Sequence, residues 1–168
     1  MIKACVIGWS ITHSRSPVIH GYWLKELGIN GSYEKLAVKP DDAEEFFRNF
    51  FKSGFVGCNV TVPLKEIAFE MADKKGASAV AVGAANTIWL EDGKICAANT
   101  DTYGFMTHLT ASAPGWQEIG KPVLILGSGG AARAITYGFI DAGVSEIIIS
   151  NRTKSRAEKL ATHFANSR

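Results

Sequence analysis

Cysteine is scarce and scattered in this sequence: Cys5, Cys58 and Cys96 stand alone, without a CxxC pair. That argues against a disulfide framework or a cysteine-built zinc site and fits a reducing compartment, the cytoplasm. The four histidines, at positions 13, 20, 108 and 163, lack metal-ligand spacing, so no metal is expected. No apolar run approaches the roughly 18 residues a membrane span needs. The opening MIKACVIGW meets a glycine at once and reads as a first strand rather than a leader. A net charge of only +2 leaves no basic excess to suit nucleic acid. Repeats and low-complexity segments are missing too. What is present is a chain of 168 residues, 46% hydrophobic and 20% charged, large enough for one full core.

Strand-like and helix-like segments alternate along it, so the class is α/β. KACVIG (3–8) is a short apolar strand. Ser16 and Pro17 then read as a helix start, a hydroxyl cap followed by a residue whose missing N–H costs nothing there. Ile19, Tyr22, Trp23 and Leu27 share one face of that helix, and Gly28 can end it. Strands are expected at 32–38 and 55–61, with a helix opening at Pro40 (stripe Phe46, Phe47, Phe50, Phe51) and another from Pro63 to about Asp73. Asp92-Gly93 signals a hairpin. A helix follows from about Thr102 to Ala111. SAPGWQEIGK, rich in turn formers, places the boundary between a first domain (1–111), a linker (112–120) and a second domain (121–168). The second domain reads as strand 122–127, helix 130–142, strand 145–150 and helix 154–166.

VLILGSGGAARA (123–134) carries the first chemical signal. Gly127-x-Gly129-x-x-Ala132 follows a strand and opens a helix, the context of a dinucleotide-binding turn. Gly127 permits the tight turn, Gly129 lets backbone N–H groups reach a diphosphate, and Ala132 is small enough for close helix–strand packing. Ser128, Gly130 and Ala131 complete the loop, whose helix presents its positive end to the anion. At the end of the next strand stand Asn151, Arg152, Thr153, Lys154 and Arg156, with no carboxylate among them. A guanidinium there suits a 2′-phosphate, whereas a carboxylate would suit a ribose hydroxyl, so NADP is favoured over NAD. Cations at a helix start otherwise oppose its dipole.

The first domain carries polar clusters at strand ends. HSRSP puts Ser14 and Ser16 beyond the first strand, and NVTVPLK puts Asn59 and Thr61 on one side by the period of two. Lys65 follows in the first turn of a helix, a poor place for a cation unless it answers an anion. GAANT and AANTD add Asn86 and Asp101.

GWSITHSRSP, GCNVTVPLK, GAANT, NTDTYG, GSGGAARA and NRTKSRAEKLA occur in the order seen in shikimate dehydrogenases, and the sequence resembles that family along essentially its whole length. The resemblance implies a substrate-binding α/β domain followed by the start of a Rossmann-type NADP-binding domain. It implies NADPH-dependent reduction of 3-dehydroshikimate to shikimate, a step of aromatic amino-acid biosynthesis. Ser14 and Ser16 would then bind the substrate carboxylate, while Thr61, Asn86 and Asn59 hold its hydroxyls or the site around them. Lys65 and Asp101 would form the catalytic pair, Asp101 also touching a substrate hydroxyl. Ser10, Gly21, Ala97 and Thr102 depart from residues common in the family, which leaves quinate open as a substrate. The second domain supplies only two strands, where the family pattern calls for about a hundred further residues. The chain therefore reads as an N-terminal portion, with a non-catalytic, shikimate-binding fragment as the alternative to an active enzyme. Oligomeric state is not readable.

Overall fold

A computed structural model describes residues 1–165. The chain divides into two compact units, Met1–Asn99 and the remainder from Thr100. The segment 112–120, expected as a linker, lies within the second of these units. Helix α5 (Asp101–Ser112) belongs to the second unit, because Phe105, Met106 and Leu109 pack into that unit's core. Local periodicity shows that a helix has an apolar face but not which core receives it.

The first unit is built on β1 (Ile2–Gly8), β2 (Gly31–Ala37), β3 (Gly57–Val60), β4 (Lys74–Lys75), β5 (Thr87–Glu91) and β6 (Lys94–Ala98). They form one mixed sheet in the order β2-β1-β3-β5-β6-β4. Strands β1, β2 and β3 are parallel, while β5 runs antiparallel to β3 and to β6. The hairpin expected at Asp92-Gly93 joins β5 to β6, with φ of 51° and 71° at the two turn residues. Positive φ at both positions matches the twist of the flanking strands, and Asp-Gly tolerates it.

Short helices α2 (Ala43–Arg48) and α3 (Lys65–Met71) cover one sheet face. Phe47, Phe50, Leu64, Ile7 and Ile88 are fully buried there, each contributing about 1.5–3 kcal/mol of transfer free energy. Phe51, the fourth aromatic of the expected stripe, is 59% exposed. Residues 40–42 and 50–52 are 3₁₀ turns rather than parts of one long helix. Helix α1 (Ser16–Glu26) lies on the other face. There His20 stacks on Tyr33, whereas Ile19, Tyr22, Trp23 and Leu27 are all exposed. Ser16 is not its cap: the N-cap is Arg15, without a side-chain bond. Instead the Ser16 N–H donates to Ser14 Oγ at 3.3 Å. Strand β4 and helix α4 (Ala77–Val82) were not expected.

In the second unit, β7 (Val123–Leu126) and β8 (Ile147–Ser150) form a two-stranded parallel sheet. Helices α6 (Gly130–Asp141) and α7 (Lys154–Ala165) close a core of Ile125, Phe139, Leu160 and Phe164 with α5. A β-carbon on Gly138 would lie 2.8 Å from Met106 Cγ, so that glycine permits α5 and α6 to approach. Among the described residues, no helix is long and apolar enough to cross a membrane.

Candidate functional site

Strand direction gathers the polar motifs of the first unit. The carboxyl ends of the parallel strands β1, β2 and β3 share one sheet edge. Because β5 is antiparallel to β3, with Asn59 opposite Thr87, the residue before β5 reaches the same edge. Ser14, Ser16, Asn59, Thr61, Lys65 and Asn86 are thus brought to one end of the sheet, where ligands sit in open α/β folds.

Backbone bonds then lock the loops to one another. The Thr61 N–H donates to the Ile7 carbonyl at 2.9 Å, and the Trp9 N–H to the Val62 carbonyl at 3.1 Å. Gly8 lies between these bonds, where an added β-carbon would sit 2.5 Å from Thr61 Cγ2. Beyond it, the Ser14 N–H closes a turn onto the Ile11 carbonyl at 3.0 Å. Lys35 Nζ, from β2, donates to the Thr12 carbonyl at 2.7 Å and holds the outer part of the same loop. Ser14 and Ser16 are both half-buried.

Lys65 is the first residue of α3. Its carbonyl accepts from the Ala85 N–H at 2.8 Å, and the Asn86 carbonyl accepts from the Val60 N–H at 2.8 Å. The segment 84–86 is therefore stitched to β3 on one side and to the start of α3 on the other. Thr87 Oγ1 donates to Asn86 Oδ1 at 2.9 Å and sets that carboxamide. Asn99, buried to 4% exposure, donates from Nδ2 to the Ala84 carbonyl at 2.9 Å. It braces the segment from the end of β6. Lys35, Asn99 and Tyr33 escape a sequence reading because their value lies in long-range partners; only alternation along β2, which puts Tyr33 and Lys35 on one face, hints at it. Asp101 opens α5 in the second unit.

The second unit assembles its own candidate site at the carboxyl ends of β7 and β8. The Gly127 N–H donates to the Ser150 carbonyl at 2.7 Å, so the glycine turn and the segment 151–156 lie together. Gly127 has φ of 118°, on the side of the map that side chains disfavour. An added β-carbon at Gly127 or Gly129 would meet no atom within 4 Å, which leaves the space over the turn open. Gly129 is the N-cap of α6, Gly130 and Ala131 follow, and the Arg133 N–H makes a helical bond to the Gly129 carbonyl. Ser128 is 8% exposed, and its hydroxyl has no hydrogen-bond partner among the described residues. Asn151 Nδ2 donates to the Thr153 carbonyl at 2.9 Å and shapes the turn into α7. Arg152 and Arg156 are exposed. Lys154 Nζ faces Glu158 at 3.7 Å, an exposed i,i+4 pair of small energetic weight. The open glycine turn, the N-terminus of a 12-residue helix and a carboxylate-free segment 151–156 fit a dinucleotide that carries a 2′-phosphate.

Comparisons with known proteins point to one family along the whole chain. Residues 6–88 match the shikimate dehydrogenase substrate binding domain, and residues 114–168 match shikimate / quinate 5-dehydrogenase. A relative from Brucella canis, a shikimate dehydrogenase (NADP(+)), is 52% identical over 162 residues, covering 96% of this chain and 56% of its own length. The shikimate 5-dehydrogenase of Thermus thermophilus in complex with shikimate superposes with a TM-score of 0.85 at 36% identity, over 98% of this chain and 62% of that one. The same enzyme with NADP(H) and shikimate gives a TM-score of 0.81 at 34% identity, over 98% of this chain and 61% of that one. The chain spans a little over half the length of the curated relative. With two matched segments in family order and relatives that agree along nearly all of its sequence, this chain belongs to the shikimate dehydrogenase family.

Proposed function

We propose that this chain provides the substrate-binding half and the beginning of the cofactor-binding half of an NADP-dependent shikimate dehydrogenase, reducing 3-dehydroshikimate to shikimate. The observation that carries the reading is the convergence of Ser14, Ser16, Thr61, Lys65 and Asn86 on one sheet edge, held by the bonds of Thr61 to Ile7 and of Ala85 to Lys65. Two hydroxyls, Ser14 on the loop after β1 and Ser16 at the start of α1, suit a carboxylate, which accepts from both. Thr61 and Asn86, with Asn59 behind them, suit ring hydroxyls.

Reducing a ring ketone creates an oxyanion that needs a proton. The Lys65 ammonium stabilises the developing charge and donates that proton; in the reverse direction its neutral amine accepts it. Asp101 is the second member of the proposed catalytic pair, a carboxylate suited to accept from a substrate hydroxyl. The nicotinamide supplies the hydride. The chain's own contribution to holding the dinucleotide is the row of N–H groups from Ser128 to Ala131 for the diphosphate. Arg152, Arg156, Thr153, Lys154 and Asn151 form the cradle for the 2′-phosphate.

A second reading has an observation in its favour. The sheet of the second unit has two strands among the described residues, and such a sheet is marginal with both edges open. On that reading the chain binds shikimate and turns nothing over. Separate titrations of shikimate and NADPH into the chain, followed by NMR, decide between them. Saturable shikimate binding supports both readings, and NADPH binding together with NADPH-dependent reduction of added 3-dehydroshikimate selects the first. Failure to bind shikimate at millimolar concentration overturns both. Where turnover is present, Lys65→Ala should lower kcat by about a hundredfold or more with little change in shikimate affinity; near-normal kcat would remove Lys65 from its role.

A further inference from the structure

Behind the polar edge runs a chain of contacts that ends in a residue assigned no role so far. The Tyr33 hydroxyl, from β2, lies 2.6 Å from Asn59 Oδ1. Asn59 Nδ2 in turn lies 3.4 Å from the Asn86 carbonyl. The direction of both bonds follows from chemistry. A main-chain carbonyl has no proton to give, so the Asn59 group facing it must be the NH2. The Asn59 oxygen therefore faces Tyr33, and the phenol must donate. The same Asn86 carbonyl also accepts from the Val60 N–H, and the neighbouring Ala85 N–H donates to the Lys65 carbonyl. Two hydrogen bonds thus connect the phenol to the main chain at Asn86, and a third, from the adjoining Ala85, reaches Lys65.

The phenol itself is held from behind. Its ring stacks on His20 of α1 with centroids 4.1 Å apart and planes 10° from parallel; His20 also meets Trp23 edge-on. Burial, with the thiols of Cys5 and Cys58 nearby, raises the Tyr33 pKa well above its ordinary value. The donor proton therefore stays in place across the range in which the protein would work.

We infer that Tyr33 is a positioning residue for the shikimate site: its hydroxyl orients the Asn59 carboxamide, which holds the main chain at Asn86. The inference rests on the proposed function, because the site it positions is the one assigned to shikimate. Tyr33 touches no substrate on this account. Its role lies in the phenolic oxygen, whereas a role in packing alone would lie in the ring.

Two substitutions separate these. Tyr33→Phe keeps the ring and its stack on His20 and removes one oxygen; Tyr33→Leu removes both. Shikimate affinity is measured by NMR titration of the whole chain, wild type and both variants. The expected result is that Tyr33→Phe weakens shikimate binding about fivefold, the size of one ordinary hydrogen bond. Tyr33→Leu should add little to that loss. Unchanged affinity in Tyr33→Phe overturns the inference while leaving wild-type binding, and the proposed function, intact. Absence of binding by the wild-type chain overturns the proposed function and this inference with it. A readout that needs no variant is the Tyr33 hydroxyl proton of the wild-type chain. It should appear as a slowly exchanging resonance with a nuclear Overhauser contact to the Asn59 side chain, and its absence would equally overturn the inference.

Discussion

At Gly8 the chain has no room for a side chain, because the methyl of Thr61 stands where a β-carbon would go. The strand ends there, its next residue bonds across to Val62, and the serine loop begins. Gly8→Ala should therefore destabilise the first unit by about 1–3 kcal/mol, as overpacking does, with Thr61 displaced in the process. Urea unfolding followed in that unit checks this, and a neutral result would mean the loop yields without cost. His20 permits a second test of this kind. Burial lowers its pKa from the ordinary 6.5, so the folded ring resists a proton that the unfolded chain accepts. Its contribution to stability is present above pH 6.5 and is lost as pH falls through the folded-state value. NMR titration of the His20 ring should give a pKa below 6.5, and His20→Phe should flatten part of the acid-side loss of stability. A ring titrating at or above its ordinary value would contradict the burial against Tyr33. Such residues also mark where sequence reading stops. Ser14, Thr61 and Lys65 are singled out as candidates by type and position, whereas Tyr33 and Lys35 look like any strand residues until their distant partners are known.

Among elements, those with strong local grammar are legible. The hairpin at Asp92-Gly93 needs only its turn chemistry, and β1, β3 and α6 need only apolar runs bounded by glycine. Strand β4 and helix α4 have no such grammar. β4 is two residues long and pairs with Cys96 and Ala97, next to the Ile95 N–H that donates to the Asp73 carboxylate at 2.7 Å. These partners lie about twenty residues away in sequence, so no local window contains the reason for the strand. Helix α4 is six residues ending in Gly83 at φ 68°, a left-handed cap too close to its start for periodicity to register. Helix α5 is visible in the sequence, but its periodicity does not say on which side of the boundary it belongs. Phe105 of α5 meets Phe139 of α6 with ring centroids 5.8 Å apart. Phe105→Ala should accordingly cost about 2 kcal/mol, at the low end for a half-buried ring. Hydrogen exchange should show the loss in α6, β7 and α7 while β1 and β3 stay protected. Loss of protection in β1 instead would return α5 to the first unit.

For the molecule as a whole, the two units differ in how completely their sheets are built. In the first, β1 and β3 are flanked on both sides by hydrogen-bonded neighbours, and Cys5, Ile7, Cys58 and Val60 are buried. In the second, β7 has β8 as its one bonded neighbour among the described residues, and Leu124 and Leu126 are 59% and 78% exposed. Protection against exchange follows burial and the number of flanking bonds, so the units should not share one stability. Amides of Cys5, Val6 and Ile7 should exchange near the slowest limit for this chain, and those of Leu124 and Leu126 faster by at least about a hundredfold. On the proposed function, added shikimate should slow exchange in β1 and β3 by mass action and leave β7 and β8 unaffected. Equal protection of the two sheets would show that the second unit is as stable as the first, and would remove the physical ground for the reading in which the chain binds shikimate without holding NADP.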